Sequence, residues 1–133
     1  MDNTELGKVY ADGEAIVRQG DRGACMYVIQ SGSVDVMEES GGRALRLATL
    51  EAGEFFGEMA IFERQARSAT IRARGEARVL TIDRRTLMRR IQNDPTIAFN
   101  LLQTLSHRVR VLDAEVKRLN SNLPSSPGIV RAG

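Results

Sequence analysis

The chain has 133 residues, a formal net charge of +2, and 42% hydrophobic and 27% charged residues. That size and balance fit one globular domain with a small appendage, long enough to bury a core. So small a net charge does not announce a nucleic-acid partner, and the single cysteine, Cys25, excludes an internal disulfide and fits a reducing compartment. No stretch approaches a membrane span and no secretion signal opens the chain, so no membrane partner and a cytoplasmic location are expected.

Residues 1–8 are polar and read as an N-terminal segment outside the domain. From Val9 the chain becomes short apolar or alternating runs punctuated by glycine, the pattern of an all-β sandwich or barrel. The expected strands are Ala15–Arg18, Cys25–Ser31, Ser33–Glu38, Ala44–Leu50, Glu54–Phe56, Arg67–Arg74 and Arg78–Ile82. Gly41-Gly42 reads as a hairpin tip.

The densest chemistry lies in Phe55-Phe56-Gly57-Glu58-Met59-Ala60-Ile61-Phe62 and Arg67-Ser68-Ala69-Thr70-Ile71. If Arg67 opens a strand, it shares the apolar face of Ala69, Ile71 and Ala73, while Ser68, Thr70, Arg72 and Arg74 face out. An inward guanidinium needs an anion. Gly57 opens one short helical turn, Glu58 to Phe62, whose first amides favour phosphate. Ionised Glu58 only accepts hydrogen bonds and suits a sugar hydroxyl. Together these describe a pocket for a phosphorylated sugar; the competing reading is a structural Glu58–Arg67 ion pair.

Two helices follow. Asp83 caps the first, Arg84 to about Gln92. Asn93-Asp94-Pro95 gives a stop, a cap and a first-turn proline for a second helix reaching about Asn120. Its apolar residues Ala98, Leu102, Leu105, Val109, Leu112, Val116, Leu119 and Leu123 alternate in steps of four and three. With Val109 and Val116 at a and Leu105, Leu112 and Leu119 at d, this seam favours a parallel homodimer. Arg108 falls at g and Asp113 at e, so the two can also pair across such a dimer. The tail, residues 121–133, is rich in Pro, Ser and Gly and is expected to be disordered.

Phe56-Gly57-Glu58-Met59-Ala60, a short gap and Arg67-Ser68-Ala69-Thr70 resemble the phosphate-binding cassette of cyclic nucleotide-binding domains, the catabolite-activator and kinase-regulatory-subunit (Crp/Fnr-like) family. The runs from Ala15 to Asp21 and from Tyr27 to Val34 resemble its jelly roll. Two departures are Ala66, where many members carry proline, and Asp12-Gly13-Glu14 in place of a proline-glycine turn. The resemblance covers roughly Val9 to Asn120. It implies a mainly β fold: a double-stranded β-helix (jelly roll) with a short helix over 9–92, then a long dimerisation helix over 93–120.

The same resemblance implies that Arg67, Ser68 and the amides of Met59 and Ala60 hold the cyclic phosphate, and that Gly57 and Glu58 take the ribose. Val36, Leu47, Leu50, Arg108, Leu112 and Asp113 would meet the base. The implied function is a regulatory module that binds a cyclic nucleotide, cAMP first and cGMP as the alternative, and signals through its last helix to an unspecified downstream partner. Ser68 serves either base, whereas Glu58 argues against a cyclic dinucleotide. Family activators carry a helix-turn-helix after the long helix. None follows here, so no nucleic-acid binding is expected of this chain, unless it is the sensor fragment of such a regulator. An enzyme of the cupin kind needs several histidines, and the sequence has only His107. Neither a nucleophile–base pair nor a metal site is visible, and a haem sensor would have only Cys25 and His107 to offer. No enzyme activity, cofactor or metal is expected.

Overall fold

The structure is a computed structural model that describes residues 5–121. The chain divides into two compact units, Met1–Gln92 and Asn93–Gly133.

In the first unit the strands are β1 (Lys8–Tyr10), β2 (Ala15–Val17), β3 (Cys25–Ser40), β4 (Arg43–Glu51), β5 (Phe55–Phe56) and β6 (Thr70–Asp83). The helices are α1 (Met59–Phe62) between β5 and β6, and α2 (Arg84–Asn93) after β6. The strands form one antiparallel sheet in the order β1-β6-β3-β4, with β2 also on β6 and β5 also on β3. The class is mainly β, as the glycine-punctuated pattern requires.

The long β3–β6 ladder organises the unit. Breaks were expected at Gly32 and Gly75, yet both strands run through, and the register shifts between Ile29 and Ser33 instead. Gly32 and Gly75 have φ of 79° and 68°, a backbone reached without strain only when Cβ is absent. A Cβ on Gly32 would also run into the Glu76 carbonyl oxygen. The glycines therefore bend the ladder rather than end it. At the far end Gly41 and Gly42, with φ of 58° and 78°, join β3 to β4. Two positive φ values are what a two-residue hairpin turn requires.

Residues directly opposite on neighbouring strands share a face. Ile29 pairs with Val79 and Val34 with Ala73. These four join Tyr10, Phe56, Ile71 and Ala77 in one buried cluster, with Tyr27, Val36 and Leu50 packed against it. The opposite face is buried too, through Met26 opposite Ile82.

The chain enters the sheet earlier than expected. β1 begins at Lys8, inside the segment expected to lie apart, because Gly7 donates to Gln30 Oε1 (2.7 Å) and Gln30 Nε2 donates to the Glu5 carbonyl (2.7 Å). β6 begins later than expected, at Thr70, so Arg67 is not a strand residue. Thr70 does not face out: it is 1% exposed, and its hydroxyl accepts the Gln19 N–H at 2.9 Å.

In the second unit α3 spans Thr96–Ser121. Asp94 caps it, its carboxylate accepting from the Thr96 N–H at 3.2 Å. Ile97 and Leu101 are its buried residues, whereas Val109, Leu112, Val116 and Leu119 are between 51% and 65% exposed. No helix among the described residues is long and apolar enough to cross a membrane. The tail assigned to 121–133 lies, after Ser121, outside the described residues.

Helix α2 shows which face carries stability. Leu87 is 1% and Met88 50% exposed. Leu87→Ala is expected to cost about 2–5 kcal/mol through a core cavity, and Met88→Ala to stay within about 0.5 kcal/mol, both read by urea unfolding. Asp83 Oδ1 accepts the Thr86 N–H at 2.8 Å. Hydrogen bonds from Thr86, helped by Arg85 and Arg89, hold the Asp83 carboxyl below its usual range. A lowered carboxylate contributes its stability fully above the unfolded-state value and loses it as pH falls through the folded one. Asp83→Asn should therefore lower the neutral plateau modestly and flatten the acid limb, the two stability curves converging at low pH.

Candidate functional site

Three segments meet at Arg67. Its main chain is clamped first: the Arg67 N–H donates to the Asp21 carbonyl and the Gly20 N–H donates to the Arg67 carbonyl, both at 2.8 Å. An isolated antiparallel bridge pairs Arg22 with Ala66. This zipper removes Arg67 from the β6 ladder and fixes the origin of its side chain.

The guanidinium is then seated from the second and third segments. Nη2 donates to the Cys25 carbonyl at 2.9 Å and Nη1 to the Gly57 carbonyl at 3.0 Å. Its carbon lies 5.6 Å from the centre of the Tyr27 ring, which stacks on Phe56 at 5.1 Å. The Tyr27 hydroxyl is held above its usual pKa chiefly by burial, with Arg67 opposing the shift, so it is neutral at physiological pH. Arg67 is half-buried, and among the described residues its hydrogen-bond partners are neutral carbonyls. These bonds use two of its five N–H donors.

Gly57, with φ of 79°, turns the chain from β5 into α1. Its carbonyl accepts from Ala60 N–H at 3.2 Å as well as from Arg67. Glu58 is 7% exposed and caps α1, its Oε2 accepting from Met59 N–H at 3.2 Å. The Met59 and Ala60 amides, expected to be open, are thus engaged through long bonds. Ala60 is buried, Met59 half-exposed and Ser68 exposed.

Gly57, Glu58, Met59, Ala60 and Arg67 therefore come together. Val36 and Leu50 pack against the core cluster that contains Phe56, with Tyr27 beside them. Leu47 differs: the β3–β4 register jumps from Val36↔Ala48 to Met37↔Arg46, leaving Leu47 at the bulge, 52% exposed. On α3, Leu112 is exposed and Asp113 pairs with Lys117 Nζ at 3.2 Å; Arg108 is half-buried. Sequence reasoning missed Gly23, the Cys25 carbonyl and Tyr27. In the sequence Gly23 is one of the glycines that punctuate the strands, and main-chain acceptors leave no mark in residue identity.

A separate open groove of about 380 Å³ lies at the β3–β4 tip, lined by Glu39, Gly41, Gly42, Arg43 and Arg72 among others. It contains none of the cassette residues.

The family model of the cyclic nucleotide-binding domain matches residues 7–94. The cyclic AMP receptor protein of Thermus thermophilus is 34% identical over 114 residues, 85% of this chain and 53% of that protein. A cAMP-dependent protein kinase regulatory subunit of Blastocladiella emersonii is 35% identical over 81 residues, 60% of this chain and 20% of that subunit. The crystal structure of the Thermus thermophilus catabolite activator protein matches with a TM-score of 0.76 at 34% identity, over 85% of this chain and 54% of that one. The chain spans about half the length of the bacterial relative and a fifth of the kinase subunit. Its jelly roll and its cassette lie within the matched residues: the chain belongs to the cyclic nucleotide-binding domain family.

Proposed function

We propose that this domain is a regulatory sensor that binds a cyclic nucleoside monophosphate, cAMP first, and passes its occupancy on through α3. One observation carries the reading: a half-buried guanidinium, fixed in place, whose hydrogen bonds among the described residues go to neutral carbonyls. A charge so placed is stabilised by an anion, and a cyclic phosphate carries one negative charge on two free oxygens that match the guanidinium fork.

Arg67 and Ser68 bind those oxygens. The Met59 and Ala60 amides join them by exchanging their 3.2 Å bonds for the ligand. Glu58, released from the Met59 amide, accepts the ribose 2′-hydroxyl beside Gly57. Val36 and Leu50, with Leu47 at the rim, offer the apolar surface for the base. These roles rest on the match of residues to the family cassette, together with the hydrogen bond that joins Arg67 to the Gly57–Ala60 turn. The output is regulatory rather than catalytic, in keeping with relatives named as a receptor protein and a kinase regulatory subunit.

Titration calorimetry with cAMP, cGMP and cyclic di-GMP side by side tests the reading. Tight binding of cAMP is expected, cGMP in its place would revise the base contacts, and binding of the dinucleotide alone or of none overturns the reading. Arg67→Ala should lose about 3 kcal/mol, roughly two decades in Kd, with the fold intact by circular dichroism. Glu58→Ala should erode the preference for ribose over 2′-deoxyribose.

We also propose that α3 carries a homodimer. Val109, Leu112, Val116 and Leu119 form an exposed apolar stripe with heptad spacing. Leu112→Lys with Leu119→Lys should sediment as a monomer at micromolar concentration where the unmodified chain sediments as a dimer. A monomeric unmodified chain, with and without ligand, removes the proposal.

A further inference from the structure

Gly23 stands apart from most other glycines of the domain. Gly13, Gly20, Gly32, Gly41, Gly42, Gly53, Gly57 and Gly75 all have positive φ, so their lack of a side chain is explained by backbone conformation alone. Gly23 does not, so a positive φ is not what calls for glycine there. What it lacks is space: a Cβ there would sit 2.5 Å from Arg67 Nη2 and 3.2 Å from both Cζ and Nε. The obstacle is a side-chain end, not main chain, so an added methyl displaces the guanidinium rather than the fold.

Gly57 bounds the same group, where a Cβ would lie 2.7 Å from Arg67 Nη1. Cys25 and Gly57 supply the two carbonyls, and Tyr27 supplies a ring face. We infer that Gly23 is a positioning residue for anion binding: with Gly57, Cys25 and Tyr27 it forms a berth that sets the Arg67 guanidinium before any ligand arrives. The residue acts through Arg67 and touches no ligand itself. A pre-set guanidinium loses little side-chain freedom when the anion binds, and that saving adds directly to affinity. The inference rests on the reading of Arg67 as the ligand for the cyclic phosphate.

The test uses Gly23→Ala in two backgrounds, the unmodified chain and Arg67→Lys, which lacks the Nη2 atom nearest the new methyl. Calorimetry with cAMP reads affinity, and the Arg67 Nε–H resonance reads the berth without any ligand. Expected for Gly23→Ala are an unchanged unfolding midpoint, a Kd raised roughly 10- to 100-fold, as for the loss of one charge-assisted hydrogen bond, and an Arg67 Nε–H signal moved to the solvent-exposed position. In Arg67→Lys the same substitution should change Kd less than about twofold, because coupled sites are not additive.

A Gly23→Ala chain that keeps both its Kd and its Nε–H signal overturns the inference. So does an equal loss of affinity in both backgrounds, which would mark a general disturbance of the loop. Should the unmodified chain bind no cyclic nucleotide, the phosphate reading falls, and the Nε–H signal still decides the berth: moved by Gly23→Ala it supports the berth, unmoved it overturns it.

Discussion

A guanidinium keeps its charge at any physiological pH, and among the described residues Arg67 holds one half-buried against neutral hydrogen-bond partners. Carbonyl dipoles replace part of the lost hydration, and the Tyr27 ring face adds a modest attraction. Neither supplies a counter-charge. The chain maintains this arrangement from several directions at once: main-chain bonds to Gly20 and Asp21, carbonyls from Cys25 and Gly57, and the space left by Gly23. A single contact would let so long a side chain swing into water. The number of independent constraints is what makes the site a site.

Those constraints come from the β3–β6 ladder. Cys25 and Tyr27 lie at the start of β3, and Phe56 of β5 pairs with Tyr27, so the acceptor carbonyl and the ring stand on a strand hydrogen-bonded on both sides. Thr70 opens β6 and ties it to Gln19 through a fully buried hydroxyl. Gln19 in turn binds Glu39 at the end of β3 through both its amide oxygen (2.7 Å) and its amide nitrogen (2.9 Å). The loop that clamps Arg67 is thereby fixed to the end of the sheet where β3 finishes beside the start of β6. A rigid sheet holding a short irregular segment is a common way to make a binding loop exact in position while leaving its donors open.

Much of this could be read in the residues, for reasons that differ by element. Gly41-Gly42 specified its turn because two adjacent glycines between alternating runs have few other uses. Asp83 and Asp94 announced helix starts because a short acceptor before a helical pattern has one natural job. Gly32 and Gly75 were read as strand ends because a sequence shows that φ is free but not whether the ladder resumes beyond. Alternation with Ala69, Ile71 and Ala73 puts Arg67 on a strand, whereas β6 begins at Thr70. Alternation continues past the end of a ladder, and only the bonds to Gly20 and Asp21 reveal that the ladder has stopped. Thr70 was placed outside by the same parity, although a hydroxyl that finds a main-chain N–H is buried at little cost. Gly23 carries no signal in the sequence, since the space it leaves is filled by an atom of a residue far along the chain.

The two units raise different physical demands. In the first, the outstanding demand is electrostatic and local: one cation among dipoles. In α3 it is apolar and extended. Val109, Leu112, Val116 and Leu119 leave their side chains in water along one stripe, and two ion pairs beside it, Asp113 with Lys117 and Glu115 with Arg118, are exposed. Such pairs contribute about 0–1 kcal/mol each and fade with salt, so they neither explain the stripe nor offset its exposure. A strict seven-residue spacing drifts by about 20° per heptad on a straight helix. A seam that keeps that spacing therefore matches a supercoiled partner better than a flat surface. Valine at a with leucine at d narrows the match to two strands in parallel. The proposed homodimer rests on the pattern of the stripe more than on its total apolar area.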